Sequence, residues 1–305
     1  GFSLYRRNFA GLLLLALLGQ AAPLLVQVVT GALHLMPSME DMAGGWAHAG
    51  LNALLFFALM LGSLVICFLV GVAMTYYVAE AYLGKTPSLA SSFRRLGRCV
   101  IGSTWTCLLN FIFYGLSLIF PFLATAAIMA WESLSPPASF VGLVLFVSVA
   151  GGLFIASLVP ILIIFMRLIV TSPVLAMEGL AGWAACRRSS ALVRYDPGLG
   201  FFYWGETRLS LLLLPLFVIH LLTSTLTSVP LILSQINDAV RHGTAAQFAT
   251  QSDVVVVGSQ ILTYVAGSLI LPLYIIAVTL FYYDVRIRRE GFDLEFLAGR
   301  LEKSA

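Results

Sequence analysis

Charged side chains are scarce in this sequence. Asp, Glu, Lys and Arg make up 10% of its 305 residues, against about a quarter in an ordinary soluble domain. Hydrophobic residues reach 60% and the mean hydropathy is +0.98. So few charges cannot clothe a water-facing surface, and the apolar runs exceed the roughly 20 residues that cross a bilayer. The formal net charge is only +3, and the basic residues punctuate apolar runs without forming a track. Nucleic acid is therefore excluded as a partner.

Residues that carry chemistry are equally few. The four cysteines, at 67, 99, 107 and 186, form no CxxC pair, and no two histidines have ligand spacing, so neither a disulfide framework nor a zinc site is indicated. The cysteines read as small buried hydrophobes. His34, His48 and His242 fall at or beyond the outer interface and His220 inside the fifth span. Each reads as a packing residue. No G-x-S-x-G elbow occurs, and Gly44-Gly45 and Gly151-Gly152 lack the Lys and spacing of a phosphate loop. The deeper polar groups, Gln20, Gln27, Asn110 and His220, are uncharged. An ion-coupled transporter needs ionisable or unwound sites at depth, which argues against that class. No catalytic residue and no cofactor is implied.

What the chain does have is six long apolar spans, near 9–35, 50–80, 100–131, 138–170, 198–235 and 254–284, followed by a segment 285–305. The expected fold is an all-α integral membrane bundle of six transmembrane helices in one domain. Tyr5-Arg6-Arg7-Asn8-Phe9 before the apolar run 12–18 has the look of a secretory or twin-arginine signal. The run continues past Pro23 to Leu35, however, and reads as an uncleaved first span. Prolines 23, 121, 160, 215, 230 and 272 fall inside spans, where they predict kinks.

Of the 17 Lys and Arg residues, all but Arg241 fall on one side of these spans. The positive-inside rule then places both termini in the cytoplasm. The opposite loops, near 36–49, 132–138 and 236–253, are short and carry Glu40, Asp41, Glu132, Asp238 and Asp253. Trp46, Trp105, Trp131, Trp183 and Trp204 fall near expected span ends, where indole prefers the headgroup layer.

Double arginines recur at Arg6-Arg7, Arg94-Arg95, Arg187-Arg188 and Arg288-Arg289. They lie roughly 90–100 residues apart, and each interval holds two spans. The pattern predicts three helical hairpins joined by short amphipathic interface helices, with a pseudo-threefold arrangement. In the stretch 89–96, apolar Leu89, Phe93 and Leu96 share a helical face away from Arg94 and Arg95. All eight arginines are candidate contacts for anionic lipid headgroups. Ordinary membrane topology accounts for their position equally well.

At the end of the sixth span stands Phe281-Tyr282-Tyr283-Asp284-Val285-Arg286-Ile287-Arg288-Arg289-Glu290-Gly291-Phe292-Asp293-Leu294-Glu295. It reads as a helix leaving the membrane through an aromatic girdle, with Asp284 paired to Arg288 at i,i+4, a break at Gly291 and a short acidic turn beyond. This stretch resembles the C-terminal signature of the bacterial membrane-domain family found in glycerophosphoryl diester phosphodiesterases, a family also seen as stand-alone multispan proteins. A second segment, Thr171-Ser172-Pro173-Val174-Leu175-Ala176-Met177-Glu178-Gly179 with Ala184-Ala185-Cys186-Arg187-Arg188-Ser189, resembles the family's central Pro, Glu-Gly and Arg-Arg-Ser elements. Cys186 departs from the aliphatic residue expected there. The resemblance implies the membrane fold. It does not imply hydrolysis, because the catalytic barrel with its His and carboxylates has no counterpart in the sequence.

Six ionisable residues stand near the inner span ends: Glu80, Arg167, Glu178, Glu206, Arg208 and Asp284. Charges at that depth must pair or face the bundle interior. They read as a network locking hairpin to hairpin, or as a vestibule for a lipid headgroup or small solute, or as a proton path. Glu80, Arg167 and Asp284 end the second, fourth and sixth spans and would converge under threefold symmetry. The expected function is a non-enzymatic subunit or scaffold of a membrane complex. Its partners would be membrane lipids, anionic ones above all, and another membrane protein. A permease or channel for a small or amphipathic solute is the alternative, and a lipid-processing enzyme is suggested only through the resemblance.

Overall fold

A computed structural model describes residues 2–32, 46–134, 140–194, 205–242 and 253–291. The described residues form ten helices and no strand: α1 (Phe2–Arg7), α2 (Phe9–Ala32), α3 (Trp46–Tyr82), α4 (Leu89–Ser117), α5 (Ile119–Leu134), α6 (Phe140–Leu168), α7 (Thr171–Glu178), α8 (Trp183–Val193), α9 (Gly205–His242) and α10 (Asp253–Glu290). Six stretches are long and apolar enough to cross a membrane: Phe9–Thr30, Gly50–Tyr82, Leu89–Ala126, Phe146–Glu178, Gly205–Ser234 and Val257–Glu290. The chain is an all-α, multispan membrane protein. Only a helix satisfies its own backbone groups where no water is at hand, so apolar runs of this length have little other choice. Much of the loop 36–49, His34, Trp204 and the acidic turn after Gly291 lie outside the described residues.

Two boundaries differ from the sequence expectation. The amphipathic stretch 89–96 is no separate interface helix; it forms the first turns of α4, which continues without interruption to Ser117. Trp105 therefore lies roughly four turns into that helix and not at its end. The same span is broken at Leu118, after which α5 begins. Pro121 accounts for the break, because it has no N–H to donate and its ring crowds the carbonyl four residues back, on Ser117. Pro23, Pro160, Pro215, Pro230 and Pro272 lie inside helices. The predicted stop at Gly291 is present: its φ is 63°, a conformation that costs glycine nothing.

The core lies at the end of the bundle that carries the arginines. Val72, Ala73, Met74 and Val78 of α3 are fully buried. α3 contributes to all three apolar clusters, with α2 and α10 through Leu12, Leu15 and Ile276, with α4 and α7 through Leu96 and Leu175, and with α6, α8, α9 and α10 through Met166, Val193, Leu209 and Tyr282. Toward the opposite end, Phe122, Ile155, Leu222 and Leu226 are exposed. In hydrocarbon such exposure costs nothing, since lipid tails are as apolar as leucine. Packing and polar bonds at the basic end therefore position the helices.

Candidate functional site

α7 is a short helix at the basic end, with Thr171, Pro173, Val174, Leu175 and Ala176 buried. A polar net fixes it and the α8 that follows. Thr75 Oγ1 of α3 is 2.9 Å from Ser172 Oγ, and Asn110 Nδ2 of α4 donates to Thr171 Oγ1 at 2.9 Å. The Cys186 thiol donates to Asn110 Oδ1 at 3.3 Å, the Gly182 amide to Thr106 Oγ1 at 2.7 Å, and Ser189 Oγ to the Arg167 carbonyl at 2.6 Å. Asn110, expected only as a deep polar residue, is thus the hub joining α4, α7 and α8. Burial pushes the Cys186 thiol up to about 11 against an opposing backbone hydrogen bond, so it remains S–H and able to donate. Cys186 thus has a bonding role that the sequence did not disclose.

Glu178, at the end of α7, lies in a closed ring of charge. Arg188 Nε of α8 donates to Glu178 Oε2 at 2.9 Å, and the same guanidinium pairs with Glu290 Oε1 at the end of α10. Arg286 Nε returns to Glu290 Oε2 at 2.9 Å and stands 3.9 Å from Glu178 Oε1. Tyr282 closes the inner edge, its hydroxyl donating to Glu178 Oε1 at 3.0 Å and accepting from Arg286 Nη1 at 3.3 Å. Two carboxylates and two guanidiniums cancel formally, as a partly dehydrated cluster requires. Burial alone would lower the Arg188 pKa, but its bonds to Glu178 and Glu290 outweigh that and raise it. Glu178 and Arg188 were legible as site candidates in the sequence, whereas Arg286, Glu290 and Tyr282 were not. The i,i+4 spacing of Arg286 and Glu290 was the available signal.

The other selected residues pair in separate places. Arg167 Nε meets Glu206 Oε1 at 3.0 Å, joining α6 to α9. Arg208 meets Asp284 at 3.2 Å, joining α9 to α10, and Arg288 takes the other Asp284 oxygen at 2.8 Å. The expected Asp284–Arg288 pair is therefore present. Glu80 accepts from Ser91 at 2.9 Å and pairs with Arg95 at 3.1 Å. Among the described residues no ion pair joins Glu80, Arg167 and Asp284 to one another. All six are engaged, yet in four separate sets and not at one axis.

The eight candidate lipid-contact arginines divide in two. Arg95, Arg188 and Arg288 hold carboxylates, and Arg289 donates to the carbonyls of Ala191 and Arg194 at 3.1 and 3.0 Å. Arg6, Arg7, Arg94 and Arg187 are exposed and have no side-chain partner among the described residues. Arg187 borders a groove of about 550 Å³ between α6 and α8. Phe113, Ile164, Leu168 and Trp183 give the groove an apolar floor, while Arg167, Arg187 and Arg194 supply its charge. The Trp183 ring packs 5.7 Å from that of Phe113. Among the described residues, no group of three or more His, Cys, Asp or Glu side chains is gathered as a metal ion would require.

No protein-family model, curated protein or solved structure matches this chain.

Proposed function

We propose that this chain is a non-enzymatic protein of the bacterial cytoplasmic membrane, a subunit or scaffold of a membrane complex. Its termini lie in the cytoplasm and its basic rim meets anionic headgroups of the inner leaflet. The observation that carries this reading is the ring of Glu178, Arg188, Glu290 and Arg286. Both carboxylates are taken up by guanidiniums, which suits a fastening between α7, α8 and α10 better than an acid or base waiting for substrate. The exposed Arg6, Arg7, Arg94 and Arg187 remain to face lipid.

The likeness to the phosphodiesterase-associated membrane domain belongs to the same proposal. Glu178 and Arg188 come from its central segment and Tyr282, Arg286 and Glu290 from its C-terminal one, and these residues touch. Motifs remote in sequence that meet in space support a shared fold. The hairpin repeat is likewise proposed. It is supported by α2 lying against α3, α5 against α6 and α9 against α10, though α3 also lies along α4 and α2 along α10.

Native mass spectrometry of gently extracted protein tests the reading. A copurifying membrane protein or retained anionic phospholipid is expected, whereas a lipid-free, partner-free monomer would refute it. The purified protein should leave glycerophosphodiesters intact. Robust turnover that Glu178→Gln abolishes would make the chain an enzyme after all.

A further inference from the structure

We propose that the groove between α6 and α8 holds one anionic phospholipid, with its phosphodiester at Arg187, Arg194 and Arg167 and an acyl chain on Phe113, Ile164 and Leu168. The inference rests on the reading that the basic rim meets an anionic leaflet, and adds a single, stoichiometric site to it.

Three features of the groove select this ligand. The first is charge: Arg187 and Arg194 are exposed and have no carboxylate partner among the described residues, and Arg167 spends only its Nε on Glu206. Guanidinium forks match phosphate oxygens bidentately, and the Ser190 hydroxyl on the same wall is an additional donor. The excess of positive charge disfavours a headgroup that carries its own cation.

The second feature is the floor. A soluble phosphate has no use for Phe113, Ile164, Leu168 and Trp183, whereas an acyl chain does. Leu158, Leu162 and Phe165 are exposed along one face of α6 that leads to Leu168, so the apolar track runs on from the groove toward the middle of the span.

The third is depth. Arg167 lies in the last turn of α6, and Trp183, 62% exposed, opens α8. An indole and arginines at one level mark the headgroup layer, with the apolar track below it.

The test is a titration of the delipidated full chain in detergent with dioleoyl phosphatidylglycerol, read by native mass spectrometry as bound lipids per protein. Wild type should take one tight lipid ahead of weaker ones, and dioleoyl phosphatidylcholine should bind that site at least tenfold more weakly. R187Q/R194Q should weaken the first binding step at least tenfold, R187K/R194K by less than that, and R6Q/R7Q should leave it unchanged. I164W, which fills the floor and keeps every charge, should weaken it to a similar degree. Undiminished first-step binding in both R187Q/R194Q and I164W would overturn the site. Displacement of the lipid by millimolar inorganic phosphate would overturn the lipid assignment in favour of a free anion. Absence of any phosphatidylglycerol binding to wild type would overturn the leaflet reading itself, whereas binding that ignores these variants removes only this groove.

Discussion

Glu178 accepts hydrogen bonds from Arg188 and from Tyr282 while Arg286 stands beside it. Replacing it with glutamine keeps the shape and removes the charge that two half-shielded guanidiniums rely on. Glu178→Gln should cost about 1–2 kcal/mol, below the value for a fully buried pair because Arg188 retains some exposure. A thermal melt in detergent should register a fall of several degrees, with Arg6→Gln as an unaffected control. At Cys186 the expectation is the reverse of ordinary cysteine tolerance. Cys186→Leu, a swap of one apolar side chain for another, strands Asn110 Oδ1 and should cost about 1–3 kcal/mol, whereas Cys186→Ser keeps the donor and should cost less. The native thiol is buried and protonated at neutral pH, so alkylation of the folded protein at that position should be slow. Local pairs such as Asp284 with Arg288 were legible because helical spacing brings them together. The contact of Arg188 with Glu290 was not, because nothing in the sequence tells how α8 lies against α10.

Hydropathy located the six spans found among the described residues, since length and apolarity alone decide what crosses a bilayer. It could not tell that 89–96 runs straight into α4, because an amphipathic interface helix and an amphipathic helix start share one period. Nor did it foresee α7, whose eight residues are too few to leave a periodic signature. Close backbone approaches at the basic end were also hidden. Gly182 has a φ of 61°, and a Cβ built on it would come within 2.5 Å of Trp105 Cδ1. Gly182→Ala should therefore destabilise the α7–α8 connection by about 1–3 kcal/mol. Gly62→Ala, on an open face of α3, should change stability by less than about 0.5 kcal/mol. Paired thermal melts of the two variants separate a tight turn from a tolerant helix face.

Across the whole molecule, the charge that is so scarce is almost all gathered at one end, where it has two uses. Part of it fastens α6 to α9, α9 to α10, and α7 and α8 to α10. Other arginines, among them Arg187 and Arg194 at the groove and Arg6, Arg7 and Arg94 elsewhere on the rim, lie exposed. The sequence made the asymmetry plain, and it could not apportion arginines between the two uses, because pairing depends on packing that emerges only in the folded bundle. An inner-leaflet role requires this end to face the cytoplasm. Arg94 is exposed on the first turns of α4, which makes Arg94→Cys, in a variant whose native cysteines are replaced, a reporter of that end. Labelling with a membrane-impermeant maleimide should fail in intact cells and succeed in inverted vesicles. Labelling in intact cells would place the basic rim outside and contradict the inner-leaflet role.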